Sequence, residues 1–164
     1  MIIWIMGLSG SGKTTVGKIL KKKLKQNHNI IHLDGDSIRK IYDDKLGHTI
    51  QEREINAERI SKLTKFLSKQ QVFLIVSVLS NFPKWLEWNR KNLKNYCEIY
   101  IKTNLNILKK RRKKLYSGNI KNVIGVDLKF NEPKKPNFKI VNNNSLTTLN
   151  KKIDQIINEL KLNN

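Results

Sequence analysis

The sequence has 164 residues, with 33 Lys and Arg against 13 Asp and Glu and a formal charge of +20, so an anion, nucleic acid included, is the first partner to consider. Hydrophobic residues make up 38% and run along the whole length, which excludes a disordered chain and leads to the expectation of a single domain over 1–164 with one sizeable core. No apolar run reaches the ~18–20 residues of a membrane span, Ile2 to Met6 is short and has no basic leader, and the single Cys97 excludes an internal disulfide or a cysteine-based zinc site, so a cytoplasmic protein with no membrane partner is expected.

The charge has a second reading. The chain holds 27 Lys, 20 Asn and 21 Ile, a bias that compositional drift across a genome produces unaided. Lys outnumbers Arg 27 to 6, whereas Arg is the preferred fork for bases and phosphates. A solvated Lys-rich surface therefore competes with a basic nucleic-acid-binding protein as the source of the +20.

Ile2 to Met6 predicts a first strand, followed by a glycine-rich turn and a helix with Val16, Ile19, Leu20 and Leu24 on its apolar face. Ile30 to Leu33 predicts a second strand running into Asp34-Gly35-Asp36, with Ser37 as cap of a short helix. After a loop at 46–50, residues 52–69 keep an apolar face through Ile55, Ile60, Leu63 and Leu67. Val72 to Leu79 is the most apolar stretch and reads as a central parallel strand. Pro83 opens a helix to about Lys94, Tyr96 to Ile101 is a strand, and Leu105 to Leu115 a helix. Residues 117–137 carry Gly118, Gly125, Pro133 and Pro136 without a sustained period, too long for an ordinary connection, and are expected to be a mobile lid. Phe138 to Val141 gives the last strand, and Ser145 caps a helix with Leu149, Ile153, Ile156, Ile157 and Leu160 on one face. The alternation predicts an α/β fold, a five-stranded mainly parallel sheet with helices on both faces and a lid loop.

Gly7-Leu8-Ser9-Gly10-Ser11-Gly12-Lys13-Thr14, followed by Thr15, fits the phosphate-loop pattern and lies between a strand and a helix, as the physics requires. Glycines let backbone N–H groups face an anion and the helix N-terminus adds positive potential. Lys13 reaches the β and γ phosphates, and the Thr14 hydroxyl ligates Mg²⁺. This implies use of ATP with Mg²⁺, and the small size favours a small-molecule acceptor over a motor. Asp34 and Asp36 stand at the carboxyl end of the second strand, where ligands bind in open α/β sheets; they serve a metal or attacking hydroxyl, or cap the helix. Arg39, Arg53, Asn56 and Arg59 offer an anion anchor, against a solvated helix face paired with Glu52, Glu54 and Glu58. The basic run Lys109 to Lys114 offers charge to neutralise a transferring phosphate, against a solvated face to which at least half its residues are expected to belong. Trp85 with Trp88 reads as packing, and His48 and Cys97 read as structural.

Together these residues resemble the adenylylsulfate kinase family. The likeness runs over GLSGSGKTT at 7–15, LDGDSIR at 33–39, Leu46-Gly47 with Arg53, Asn56 and Arg59, then Ser80, Arg90 and GNIKNVIGVD at 118–127. It implies a P-loop kinase that moves the γ-phosphoryl of MgATP to the 3′-hydroxyl of a nucleotide ribose. By that resemblance Lys13, Asp34 and Asp36 are catalytic, Gly7 to Thr15 hold ATP, and Thr14 with Asp36 holds Mg²⁺. Asp36, Arg39, Arg53, Asn56, Arg59, Ser80 and Phe130 would receive the nucleotide acceptor, and kinases resembling this one are often homodimers. The departures fall on the acceptor side: His48 stands where the family has a Phe, and Ser80-Asn81-Phe82-Pro83 lacks the family's arginine. This pattern is similar to a capsule-associated branch that phosphorylates cytidine diphosphoramidate, so that nucleotide is the expected acceptor and adenylylsulfate the alternative.

Overall fold

The computed structural model describes residues 1–42, 46–118 and 120–162; Asn119, inside the expected lid, lies outside them. The elements alternate along the chain as β1 (Ile2–Met6), α1 (Lys13–Leu24), β2 (Ile30–Asp34), α2 (Gly35–Ile41), α3 (Ile50–Leu67), β3 (Phe73–Val78), α4 (Pro83–Asn92), β4 (Tyr96–Lys102), α5 (Leu105–Arg111), β5 (Phe138–Val141) and α6 (Leu146–Glu159). The sheet runs β2-β3-β1-β4-β5, and every pairing is parallel. The expected sheet is thus wholly, not mainly, parallel.

Strand β1 lies at its centre, with Trp4 aligned on Val76 of β3 and on Glu98 of β4. All five of its residues are buried, because a parallel strand covered on both faces needs a continuous apolar run. Its alternation feeds two cores. Ile3 and Ile5 pack with Val16, Leu20 and Leu24 of α1 and Leu149, Ile153 and Ile156 of α6. Ile2, Trp4 and Met6 pack with Ile38 of α2, Ile60 of α3 and Leu86 of α4. Each fully buried isoleucine contributes roughly 1.5–3 kcal/mol, and the two cores fix which helices flank which face.

Local chemistry moves some boundaries. Asp34, not Ser37, caps α2, its carboxylate accepting from Asp36 N–H; β2 pairs with β3 as far as Asp34 opposite Ser77, which leaves Asp34 as the last extended residue. Helix α3 begins earlier than expected because Thr49 and Glu52 form a reciprocal capping box. Helix α5 stops at Arg111 instead of Leu115. Six like charges at 109–114 oppose its continuation, and Arg111 and Tyr116 turn to the carbonyls of Gly10 and Ser9. Since all strands point the same way, Gly7, Asp34, Ser80, Thr103 and Asn142 gather along one edge of the sheet. Among the described residues, no helix is long and apolar enough to cross a membrane.

Candidate active site

The turn after β1 is a tight one. Gly7 has φ +149°, and a Cβ there would collide with the Ile101 carbonyl of β4. Gly12, at φ +102°, precedes α1, so the loop folds over the N-terminus of the helix. Lys13 Nζ donates to the Leu8 carbonyl at 2.9 Å. Desolvation draws its ammonium pKa down to about 8, the carboxylates of Asp36 and Asp34 oppose the shift, and Arg112 adds to it. Thr14 Oγ1 donates to Asp34 Oδ2 at 2.7 Å, while Asp34 Oδ1 accepts from Asp36 N–H at 3.1 Å. Behind the loop, His32 Nε2 lies 2.9 Å from Ser77 Oγ, and Ser77 Oγ lies 3.4 Å from the Lys13 carbonyl, tying β2 and β3 to the first turn of α1.

Facing this cradle is a wall built from α2, α3 and the loop between them. Arg39 donates to the carbonyls of Leu46, at 3.1 Å, and Gly47. Arg53 donates to the His48 carbonyl at 2.9 Å and to the Asn122 carbonyl at 3.0 Å, so it joins the wall to the lid segment. Glu52 closes the loop from beneath by accepting from Thr49 Oγ1, Gly47 N–H and Thr49 N–H, and those hydrogen bonds hold its carboxyl down at about 2. Asn56 Nδ2 reaches the Gly35 carbonyl at 3.4 Å. Burial and the neighbouring Arg53 and Arg39 lower the basicity of His48, whose imidazole is held toward its neutral form beside two fixed cations. Within the segment expected to be a lid, Asp127 accepts from the backbone N–H groups of Asn122 and Val123. Val123 packs against Leu108 and Tyr116.

The cleft between these parts encloses about 620 Å³, within the range of small-ligand sites. Of the sequence-predicted residues, Ser9, Gly10, Gly12, Lys13, Thr14, Thr15, Asp34, Asp36, Arg39, Arg53, Asn56 and Ser80 line it. Ser80 sits at φ 55° with Trp4 Nε1 3.3 Å from its hydroxyl. Gly7, Leu8 and Ser11 shape the loop from behind. Two residues fall elsewhere. Arg59 lies over the Tyr42 ring at 4.5 Å, and Phe130 packs beside Tyr100 with ring centroids 6.2 Å apart. Phe130 is carried there because Asn81 bonds the backbone on either side of it, at Lys129 and Asn131. Arg90, part of the sequence likeness, is occupied by Glu98 and the Lys134 carbonyl.

The cleft also contains residues beyond the expected site, and two from the 109–114 run. His48, read as structural, lines it with Phe82, Arg111, Arg112 and Lys121. The one available signal in 109–114 was type: its two arginines are the members suited to phosphate. Cys97 is buried, and burial raises its thiol to about 12, in keeping with a structural role.

The donor set also bears on Mg²⁺. Among the described residues, no group of three or more His, Cys, Asp or Glu could hold a metal ion. A hydroxyl hydrogen-bonded to a carboxylate at the phosphate cradle suits a hard cation that takes few protein ligands and completes its shell with water and substrate oxygens.

A phosphate loop after the central strand of a parallel sheet, with an acidic pair and arginines across the cleft, defines a P-loop nucleotide-binding protein. The adenylylsulphate kinase family model matches residues 1–141. A cytidine diphosphoramidate kinase of Campylobacter jejuni is 39% identical over 98% of this chain and 96% of its own. A probable adenylyl-sulfate kinase of Archaeoglobus fulgidus is 36% identical over 82% of this chain and 91% of its own. The structure of the Mycobacterium tuberculosis APS kinase in complex with AMPPNP and APS superposes with a TM-score of 0.86, at 26% identity over 98% of this chain and 96% of that one. The chain belongs to the adenylylsulphate kinase family.

Proposed function

We propose that the protein transfers the γ-phosphoryl group of MgATP to the 3′-hydroxyl of a nucleotide ribose, with cytidine diphosphoramidate as acceptor. The observation that carries the acceptor is the 39% identity, over nearly all of both chains, to a protein named cytidine diphosphoramidate kinase. The cleft wall supports it: a compact imidazole at His48, beside Arg39 and Arg53, leaves room for a small pyrimidine and supplies two cations for a diphosphate-like group.

In this reading the loop amides and Lys13 hold the donor phosphates, and Thr14 would hold Mg²⁺ with Asp34, the carboxylate its hydroxyl meets in place of the expected Asp36. The metal supplies charge neutralisation on the phosphate oxygens. Arg39 and Arg53 orient the acceptor, Arg111 and Arg112 face the phosphates from the opposite rim, and Asp36 takes the hydroxyl proton as the new P–O bond forms. The bond from the γ-phosphorus to the β–γ bridging oxygen breaks, ADP leaves, and catalysis is by positioning and electrostatics. Purified protein given MgATP with each acceptor should show the higher kcat/KM with cytidine diphosphoramidate and a 3′-phosphorylated product by ³¹P NMR. Faster turnover of adenylylsulfate would overturn the choice of acceptor and leave the kinase assignment standing.

A further inference from the structure

Four successive carbonyls of the phosphate loop are tied by side chains. The carbonyls of Leu8, Ser9, Gly10 and Ser11 accept from Lys13 Nζ at 2.9 Å, Tyr116 Oη at 2.8 Å, Arg111 at 3.3 Å and Asn142 Nδ2 at 2.7 Å. The Ser11 N–H is itself taken by the Leu8 carbonyl at 3.1 Å; tying back the carbonyls leaves the remaining loop N–H groups to turn toward an anion, as in an anion-binding nest.

Asn142 differs from the other donors in how firmly it is itself held. It is buried, and its N–H donates to the Lys102 carbonyl at 2.8 Å. Its own carbonyl accepts from Thr103 Oγ1 at 3.3 Å and from Arg111 at 3.4 Å. Thr103 Oγ1, also buried, stands 3.3 Å from the same Ser11 carbonyl that Asn142 engages. A Cβ on Gly12 would come within 2.6 Å of Asn142 Nδ2. The third glycine of the loop thus keeps open the space through which the amide reaches Ser11. Nothing in the local sequence marks this residue, since Asn142-Asn143-Asn144 looks like an ordinary polar connection after a strand.

We infer that Asn142, assisted by Thr103, is a positioning residue for the nucleoside triphosphate donor: from the end of β5 it fixes the Ser11 carbonyl and with it the curvature of the phosphate-binding loop. The inference rests on reading that loop as the ATP site.

The test uses the full chain and Asn142→Asp, which nearly conserves volume but sets an oxygen against the Ser11 carbonyl. Binding of Mg-AMPPNP should weaken about tenfold or more by calorimetry, as for loss of a buried hydrogen bond with its partner left in place, and the uncharged Asn142→Leu should weaken it as much, which separates the lost bond from repulsion by a new carboxylate. KM for ATP should rise in step, while KM for the acceptor stays within about twofold. Thr103→Val should weaken AMPPNP binding by a smaller factor, and Thr103→Ser, which keeps the hydroxyl, should recover most of that loss. Because both side chains act on one carbonyl, the Asn142→Asp and Thr103→Val losses should not add. Wild-type AMPPNP affinity in Asn142→Asp overturns the inference, as does an equal loss toward ATP and acceptor with a lowered melting temperature, the mark of general packing damage. If Asn142→Asp does not fold, the threonine pair decides, and equal affinities in the Thr103→Val and Thr103→Ser variants overturn it. Folded wild type that binds no AMPPNP would sink the ATP reading itself, an outcome distinct from the others.

Discussion

Asp34 gives its two oxygens two different tasks, and the tasks can be separated. Oδ1 accepts from Asp36 N–H and caps α2, while Oδ2 accepts from the Thr14 hydroxyl. Asn caps a helix about as well as Asp, whereas Ala forfeits about 1 kcal/mol. For 164 residues at about 2.1 cal/mol/K each, the unfolding entropy is about 0.34 kcal/mol/K. Asp34→Ala should therefore lower Tm by about 3 °C, and Asp34→Asn by less than about 1 °C. Activity should sort the variants differently. Asn replaces the oxygen facing Thr14 with an NH₂ group and removes the charge, and loss of a charge-assisted contact is worth about 1.5–3 kcal/mol. That corresponds to about 10- to 150-fold in kcat/KM. Both variants should show that loss, measured by coupled ADP release at saturating acceptor over a Mg²⁺ titration, with melting followed by circular dichroism. An Asp34→Asn protein that keeps its activity, or that melts as early as Asp34→Ala, would refute the division of labour.

Two further outcomes follow from the charges. In its proposed role Lys13 binds phosphate as the ammonium, and its pKa is drawn down to about 8, so log kcat/KM for ATP should fall with rising pH from about 8. Asp34 opposes that shift, so Asp34→Asn should move the alkaline limb lower still; a profile flat to about pH 9.5 would contradict both. Away from the cleft, the Glu98 side chain is 2% exposed and meets Arg90 at 2.9 and 2.5 Å. Arg90→Leu strands that carboxylate, which costs about 3–5 kcal/mol for a buried pair; with Arg90 itself 37% exposed the lower end applies. A fall in Tm of about 9 °C is expected, and one under about 3 °C would show the pair to be dispensable.

What could be read from the sequence was what short-range chemistry decides. The phosphate loop announces itself because strand, glycines, lysine and helix are contiguous, and the inner strands β1 and β3 are visible because parallel strands buried on both faces must be continuously apolar. Asp34 and Ser37 are equally good caps of α2 in isolation, and sheet pairing with β3 chooses between them. The end of α5 depended on carbonyls about a hundred residues earlier. Arg59 and Phe130 illustrate the same point at the site. Spacing puts Arg59 near Arg53 and Asn56, but the Tyr42 ring takes it; lid position suggests Phe130, but Asn81 draws its backbone toward β4. His48 carries no motif at all, and only the hydrogen bonds of Arg39, Glu52 and Arg53 to the 46–49 loop bring it to the cleft.

The two sides of the cleft are anchored with unequal depth. The donor cradle grows from β1, whose five residues are buried and paired on both edges, and it presses on the β4 backbone closely enough that Gly7 has no room for a Cβ. The wall across the cleft, the proposed acceptor side, hangs on hydrogen bonds between loop carbonyls or N–H groups and side chains of α2 and of the first turn of α3. Substitutions there are felt by the substrate before they are felt by the core. A lineage can retune such a wall for a new nucleotide while inheriting the phosphate machinery intact, and relatives named for different acceptors on one fold are what that asymmetry leaves behind.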